Sequence, residues 1–218
     1  MRRGHSANAG HLNGGPWALY FETGALPVDL SERQLRSQTI FEGRLLHVRR
    51  DDVALPDGRP ATREYVVHPG AVVVVPLLLD ADGGVRVVLE RQFRYPLGRV
   101  LIEFPAGKRD PAEDSLRCAQ RELREETGYS AGEWAFAATM HPTIAYSTEH
   151  IDIWFARSLQ PGPSHLDAGE FLEVFTATAD ELLAWCAQGL VTDGKTLSCL
   201  LWLQNVLDGR WKLDWQAL

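Results

Sequence analysis

The chain has 218 residues, 45% of them hydrophobic, and a formal net charge of −7. That length suits one domain with an extension, and that hydrophobic content supports a sizeable core. The acidic balance and the lack of basic runs argue against a nucleic-acid-binding surface. The longest apolar run, Ala71 to Leu79, is far too short to span a bilayer, and no apolar stretch follows Arg2 and Arg3 as a signal peptide would require. Cys118, Cys186 and Cys199 are odd in number and fall in predicted helices. They read as buried thiols of a reducing compartment, so the expectation is a cytoplasmic protein without a membrane anchor.

Residues 1–36 read as a leader, with its first fifteen or so residues expected to be disordered and a short helix near Ser31–Arg36. From Gln38 the chain turns to strands. Arg44–Leu55 and Thr62–Val67 flank the turn Pro56-Asp57-Gly58, and His68-Pro69-Gly70 breaks the run. Ala71–Leu79 and Val85–Glu90 form a predicted hairpin around Asp80–Gly84. Val100–Phe104 is a further strand, left through a turn at Phe104-Pro105-Ala106-Gly107. Beyond a helix come strands at Ala135–His141, Ile151–Ala156 and Phe171–Thr176, then helices at Asp180–Gln188 and Lys195–Leu207. Helices on both faces of a mixed sheet fit this order.

The segment Gly107–Tyr129 is the most informative. Asp110 reads as N-cap, Pro111 as first helical residue and Glu113 as a capping-box partner. Leu116, Ala119 and Leu123 form an apolar stripe, and Gly128 supplies a left-handed stop, so the spacing predicts a helix over 111–127. Glu122, Glu125 and Glu126 stand at i, i+3 and i+4 on one face. Three carboxylates there repel one another unless a cation sits among them, and a hard, oxygen-seeking ion such as Mg²⁺ suits them. The bland alternative, a solvated acidic face, does not explain glycines at both ends.

The pattern Gly107-x5-Glu113-x7-Arg121-Glu122-Leu123-x-Glu125-Glu126-x-Gly128 resembles the Nudix box of the Nudix hydrolases, with Tyr129 where an aliphatic residue is commoner. Several further segments resemble the ADP-ribose pyrophosphatase branch: Phe41–Arg44, Arg63-Glu64, His68–Val72, Gln92–Pro96, Glu103–Gly107, Pro142 and Gly189–Thr196. The resemblance implies an α/β/α sandwich with a mixed sheet plus N-terminal antiparallel strands. It divides the chain into the leader, N-terminal strands over 37–70 that serve dimerisation, and a Nudix domain over 71–218.

Carried over by position, the resemblance implies metal binding by the Ala106 carbonyl oxygen, Glu122 and Glu126, with Glu125 as a further ligand or the holder of a ligating water. Mg²⁺ is the implied ion, with Mn²⁺ able to replace it. Arg121 would orient the glutamates. Arg63 and Arg94 would hold substrate, Phe41 would stack on the base, and Glu103 would bond a polar group of the substrate. Without the resemblance, Arg63 and Arg94 read equally as surface ion pairs, Phe41 as core and Glu113 as a cap. His68 and His141, each before a proline, read as local turn structure, and Trp134, Trp154 and Trp185 as core.

The implied reaction is metal-dependent hydrolysis of the pyrophosphate of a nucleoside diphosphate sugar, foremost ADP-ribose to AMP and ribose 5-phosphate. The general base has three candidates. Glu170 belongs to Asp167-Ala168-Gly169-Glu170, where Ala168 stands in place of a glutamate usual in the branch. Glu149 lies on an earlier loop, and Glu125 could act through a bound water. Competing readings are a pyrophosphatase for another nucleotide sugar, such as GDP-mannose, and a non-catalytic nucleotide sensor, which the intact box disfavours. The branch also implies a homodimer.

Overall fold

The computed structural model describes residues 28–80, 82–166 and 168–218. The disorder expected at the start of the leader lies outside them. Three strands come first: β1 (Arg33–Glu42), β2 (His47–Ala54) and β3 (Pro60–Val67) form a separate antiparallel sheet in that order. The helix expected near Ser31–Arg36 is instead the start of β1. Six residues repay a helix nucleus poorly, whereas pairing Arg33 with Ala54 and Ser37 with Asp51 gives the backbone partners at once. The strand expected from Arg44 begins at His47, because the Gly43 N–H bonds the Leu46 carbonyl and closes a turn.

The second sheet holds β4 (Ala71–Leu79), β5 (Val85–Arg94), β6 (Arg99–Glu103), β7 (Ala106–Lys108), β8 (Ser130–Met140), β9 (Ile151–Gln160), β10 (Leu172–Thr178) and β11 (Gln216–Ala217). Its order is β10-β5-β4-β9-β8-β11, with β6 on β5 and β7 on β4. The β4–β9 pair is parallel and the rest are antiparallel, so the sheet is mixed.

β4 reads AVVVVPLLL because both of its faces are covered. Val72 and Val74 pack with Cys118, Ala119 and Leu123 of α1 (Ser115–Thr127). Val73 and Val75 face the other way, in a cluster with Leu182 of α2 (Ala179–Ala187) and Cys199, Leu200 and Leu203 of α3 (Gly194–Leu207). The result is the expected α/β/α sandwich. Leu123, fully buried, stabilises the α1 contact by on the order of 2 kcal/mol. Trp134 is core as expected, and Trp154 and Trp185 pack against the core clusters. The three cysteines are unpaired and lie on α1, α2 and α3.

β4 and β5 pair only over Leu77–Leu79. Towards the start of β4 they part, β5 turns to β6, and β7 takes the vacated edge over Ala71–Val73. Ala106 and Gly107 are therefore strand residues, not only the turn expected from the sequence. This splay opens a cleft at the start of β4.

α1 begins four residues later than expected. Asp114, not Asp110, is the N-cap, and its carboxylate accepts the Leu116 and Arg117 N–H groups. Asp110–Glu113 is a turn closed by the Glu113 N–H on the Asp110 carbonyl, with Pro111 second and Ala112 third at φ +61°. Pro at that place and a left-handed third residue are type II chemistry. Arg109 fixes the turn by bonding the Glu113 carbonyl at 2.6 Å and 3.1 Å, just ahead of the helix.

Candidate active site

The acidic helix face is built around Arg121. Its guanidinium donates to Glu113 (2.9 Å and 3.0 Å), Glu122 (2.8 Å), Glu125 (3.0 Å) and the Lys108 carbonyl (3.1 Å). One planar fork thereby gathers three carboxylates, a geometry a lysine could not supply. Glu113 does more than cap. Its carboxylate also accepts the Asp110 N–H, and the Arg121 guanidinium holds its pKa down at about 2.

Glu126, 4% exposed, turns the other way and accepts the Ala106 N–H at 3.0 Å. Glu122 lies flat on the backbone of Gly107. A Cβ there would stand 1.9–2.3 Å from its carboxylate atoms, so only glycine permits the approach. The glycine at the head of the motif is thus the wall against which a glutamate rests.

Across from the helix, β5 turns Glu90, Gln92 and Arg94 to one face, two residues apart. Glu103 on β6 is directly opposite Glu90. Arg94 grips Glu103 through two bonds of 2.6 Å and 2.7 Å, and Lys195 bonds the same carboxylate. Asp193, the N-cap of α3, bonds Lys195 at 3.0 Å and Thr196 at 2.7 Å, and Thr196 accepts the Phe104 N–H. Gln92 donates to Glu170 at 3.2 Å, which brings the late loop to the same face.

Some of these groups line a cleft of about 640 Å³, whose walls include Arg94, Glu103, Ala106, Gly107, Pro142, Glu149 and Lys195. The helix glutamates stand behind its Ala106–Gly107 wall. Glu149 lies 3.8 Å from the His68 ring, and burial lowers the pKa of that ring. His68 also accepts the Gly70 N–H through Nδ1, the local turn role expected of it.

Burial pushes the pKa of Glu122 up to about 7, against the pull of Arg121. Burial raises Glu126 as well, and the charges of Glu90, Glu122 and Glu170 add to the rise. Glu90 is raised by burial and then by Glu103. Both Glu90 carboxylate oxygens are buried without a hydrogen-bond partner among the described residues. Among those residues no three His, Cys, Asp or Glu side chains already close on one point as a metal cage. Mg²⁺ does not need one, since it commonly keeps several waters and takes one or two carboxylates plus phosphate oxygens. The crowded carboxylates of Glu122, Glu125 and Glu126, with the orphaned oxygens of Glu90 close by, are an oxygen-only donor set that fits such an ion.

Of the residues expected from sequence, Glu122, Glu125 and Arg121 form one bonded array; Ala106, Arg94, Glu103 and Glu149 line the cleft; Glu126 accepts the Ala106 N–H and Glu170 is bonded by Gln92. Glu103 spends its carboxylate on Arg94 and Lys195 rather than presenting it outward. Phe41 and Arg63 are elsewhere: both belong to the N-terminal sheet, Phe41 is 54% exposed, and Arg63 pairs with Glu32. Sequence reasoning misses Glu90 and Lys195. Glu90 ends the apolar run VVLE of a buried strand, a place where a carboxylate is costly, and that misfit is the available signal.

An acidic helix face backed by a glycine strand, beside a cleft carrying arginine and lysine, has the chemistry to take a divalent cation and a phosphate-bearing substrate. Residues 68–196 match the NUDIX domain model, and residues 32–66 match the model for the nucleoside diphosphate sugar hydrolase N-terminal domain. The methanol dehydrogenase activator of Bacillus methanolicus is 34% identical over 175 residues, covering 79% of this chain and 92% of that protein. The ADP-ribose pyrophosphatase of Bacillus subtilis is 34% identical over 177 residues, covering 80% of this chain and 94% of that one. A crystal structure of an ADP compounds hydrolase superposes with a TM-score of 0.72 at 23% identity, over 82% of this chain and 95% of that chain, which shows the shared fold. The chain belongs to the Nudix family and is a Nudix pyrophosphohydrolase. Family members generally need a divalent metal.

Proposed function

We propose that the chain hydrolyses the pyrophosphate of ADP-ribose to AMP and ribose 5-phosphate, using Mg²⁺, with Mn²⁺ as a substitute. The observation that carries this is two arrays beside one cleft: Arg94 with Lys195 on Glu103 in its lining, and Arg121 with its glutamates on α1 against the Gly107 wall. The names of relatives support the substrate: ADP-ribose pyrophosphatase in Bacillus subtilis, ADP-sugar pyrophosphatase in Mus musculus.

Glu122 and Glu126 would hold the metal, with Glu125 and the Ala106 carbonyl beside them. A divalent ion bound there neutralises phosphate charge and makes water a better nucleophile. The chain does the rest. Arg121 keeps Glu122 and Glu125 in fixed rotamers. Arg94 and Lys195 meet the anionic pyrophosphate, and Glu103 keeps them from swinging into solvent. Glu170 takes the proton of the attacking water, with Gln92 aiming its carboxylate. Glu149 is the alternative base.

Phe41 and Arg63 would reach substrate from a second copy of the chain. That homodimer is supported by exposed Leu35, Ile40, Phe41, Leu45 and Leu46 on or beside the N-terminal strands. The strands over 37–70, with the Nudix domain following from 71, would then serve dimerisation. Among the described residues no helix is long and apolar enough to cross a membrane. A cytoplasmic enzyme accords with the three free cysteines, and the lack of a nucleic-acid partner with the acidic charge.

The test is a panel of ADP-ribose, ADP-glucose and GDP-mannose with Mg²⁺, products resolved by chromatography. ADP-ribose should lead in kcat/KM by at least about tenfold, equal to roughly 1.4 kcal/mol of differential transition-state binding. A lead for GDP-mannose overturns the substrate and leaves the family standing.

A further inference from the structure

We infer that Glu90, buried on β5 directly opposite the Glu103 of the cleft lining, is an additional ligand for the divalent cation, so that the metal is clamped between β5 and α1 rather than held by the helix alone. The inference rests on the reading of Glu122 and Glu126 as metal ligands, and it adds a residue outside the family motif.

The residue is 0% exposed, and neither of its oxygens has a hydrogen-bond partner among the described residues. A buried carboxylate left so is among the costliest arrangements a fold can hold, and proteins keep one only where something pairs with it. The nearby cations favour its charge but give it no bond. Arg94 and Lys195 both spend their bonds on Glu103, the residue directly opposite Glu90 in the β5–β6 ladder. Side chains opposite one another in such a ladder share a face, with Cβ atoms about 5 Å apart. Glu90 therefore has a second carboxylate as its nearest polar neighbour on β6.

Its own strand continues the pattern. Gln92, two residues on, reaches Glu170, and Arg94, two further, reaches Glu103. Glu90 is the innermost of this row, and its charge acts on Glu126. An isolated proton would quench one charge. A divalent ion would quench Glu90 and Glu126 together and use oxygens that no protein donor claims. Mg²⁺ approaches an oxygen to about 2.0–2.1 Å, closer than a water does, while keeping other waters of its own. Ligation by Glu90 therefore replaces a water of the ion.

The experiment counts bound metal without turnover. Wild-type protein, Glu90→Gln, Glu90→Met and Glu126→Gln are titrated with Mn²⁺ in the absence of substrate, and free Mn²⁺ is read from its electron paramagnetic resonance signal. Circular dichroism and melting in chelator monitor folding. Both Glu90 variants should fold, melt no lower than wild type in chelator, and bind Mn²⁺ at least tenfold more weakly or with one fewer ion. Wild-type Mn²⁺ binding by Glu90→Gln and Glu90→Met, with binding impaired in Glu126→Gln, overturns the role of Glu90 and leaves the helix site intact. Wild-type binding in all three variants overturns the metal reading beneath it as well. A large loss of melting temperature in chelator for both Glu90 variants also overturns the inference, since it would make the carboxylate structural.

Discussion

Gly107→Ala tests the idea that the motif glycine serves the glutamate rather than the backbone. Its φ is not in the left-handed region, so alanine adds no backbone strain; the added Cβ has only a steric effect. That Cβ would meet Glu122 Oε1 at 1.9 Å, and ordinary contact begins near 3.4 Å. The carboxylate must therefore retreat by roughly 1.5 Å, and as the free end of a side chain it can do so without disturbing β7 or α1. Displacements of about 1 Å in a catalytic array can cost on the order of 10²-fold in rate. Gly107→Ala should accordingly lose about 10²-fold or more in kcat/KM, about 2.7 kcal/mol at the transition state, while its melting temperature stays within a degree or two. Steady-state kinetics at saturating metal and differential scanning calorimetry read the two quantities. Wild-type kcat/KM would refute the argument, and so would a collapse in stability, which would make the glycine a folding residue.

Ala112→Gly should stabilise the protein by about 1 kcal/mol in a denaturant titration, because it relieves a left-handed alanine at the third position of a type II turn. Glu126→Gln and Glu122→Gln should each lower turnover by several orders of magnitude with folding kept, since an amide lacks the charge a hard cation needs; near-normal turnover in Glu126→Gln counts against the metal assignment. Glu170→Gln should depress kcat more than Glu149→Gln at matched metal saturation, and the reverse order moves the base to the earlier loop. Metal-free protein should lose stability as pH rises from about 4.5 to about 7. Burial lifts Glu122 from the ordinary 4.5 to about 7, so its neutral form favours the fold below the unfolded value and ionisation opposes it above, by on the order of 3 kcal/mol. Glu103 and Glu113 are depressed instead, and their contribution is lost only on the acid side of the ordinary carboxylate range. Melting temperatures in chelator that ignore pH between 5 and 8, or that fall equally with saturating Mg²⁺, would contradict this.

The sandwich is legible in the sequence because β4 is apolar on both faces and because Leu116, Ala119 and Leu123 repeat with helical period. What escapes is decided by partners distant in sequence. Asp110-Pro111-Ala112-Glu113 suits a helix start and a turn equally; Arg109 and Arg121 select the turn, and no local rule contains them. Ser31–Arg36 has no internal preference strong enough to resist pairing with β2. Lys195 reads as an ordinary first-turn residue of α3 until the fold brings it to Glu103, 92 residues away in sequence. The spacing of Glu113 from Asp110 reads as a cap, and Glu113 does accept that N–H, yet its carboxylate is held chiefly by the Arg121 guanidinium.

The electrostatic layout follows from one topological fact. β4 and β5 pair only at Leu77–Leu79, and the gap beyond admits β7 on one side and the row Glu90, Gln92, Arg94 on the other. α1 crosses the same gap because its apolar stripe must cover Val72 and Val74. The helix glutamates and the strand row are thereby forced to face each other, whatever charge they carry. Arg121 satisfies the outer carboxylates, Glu122 and Glu125 among them; Arg94 and Lys195 satisfy Glu103. Glu126 on α1 and Glu90 on β5 are left with the least compensation, close enough for one to act electrostatically on the other. A divalent cation compensates two such carboxylates at once, whereas a proton neutralises only one.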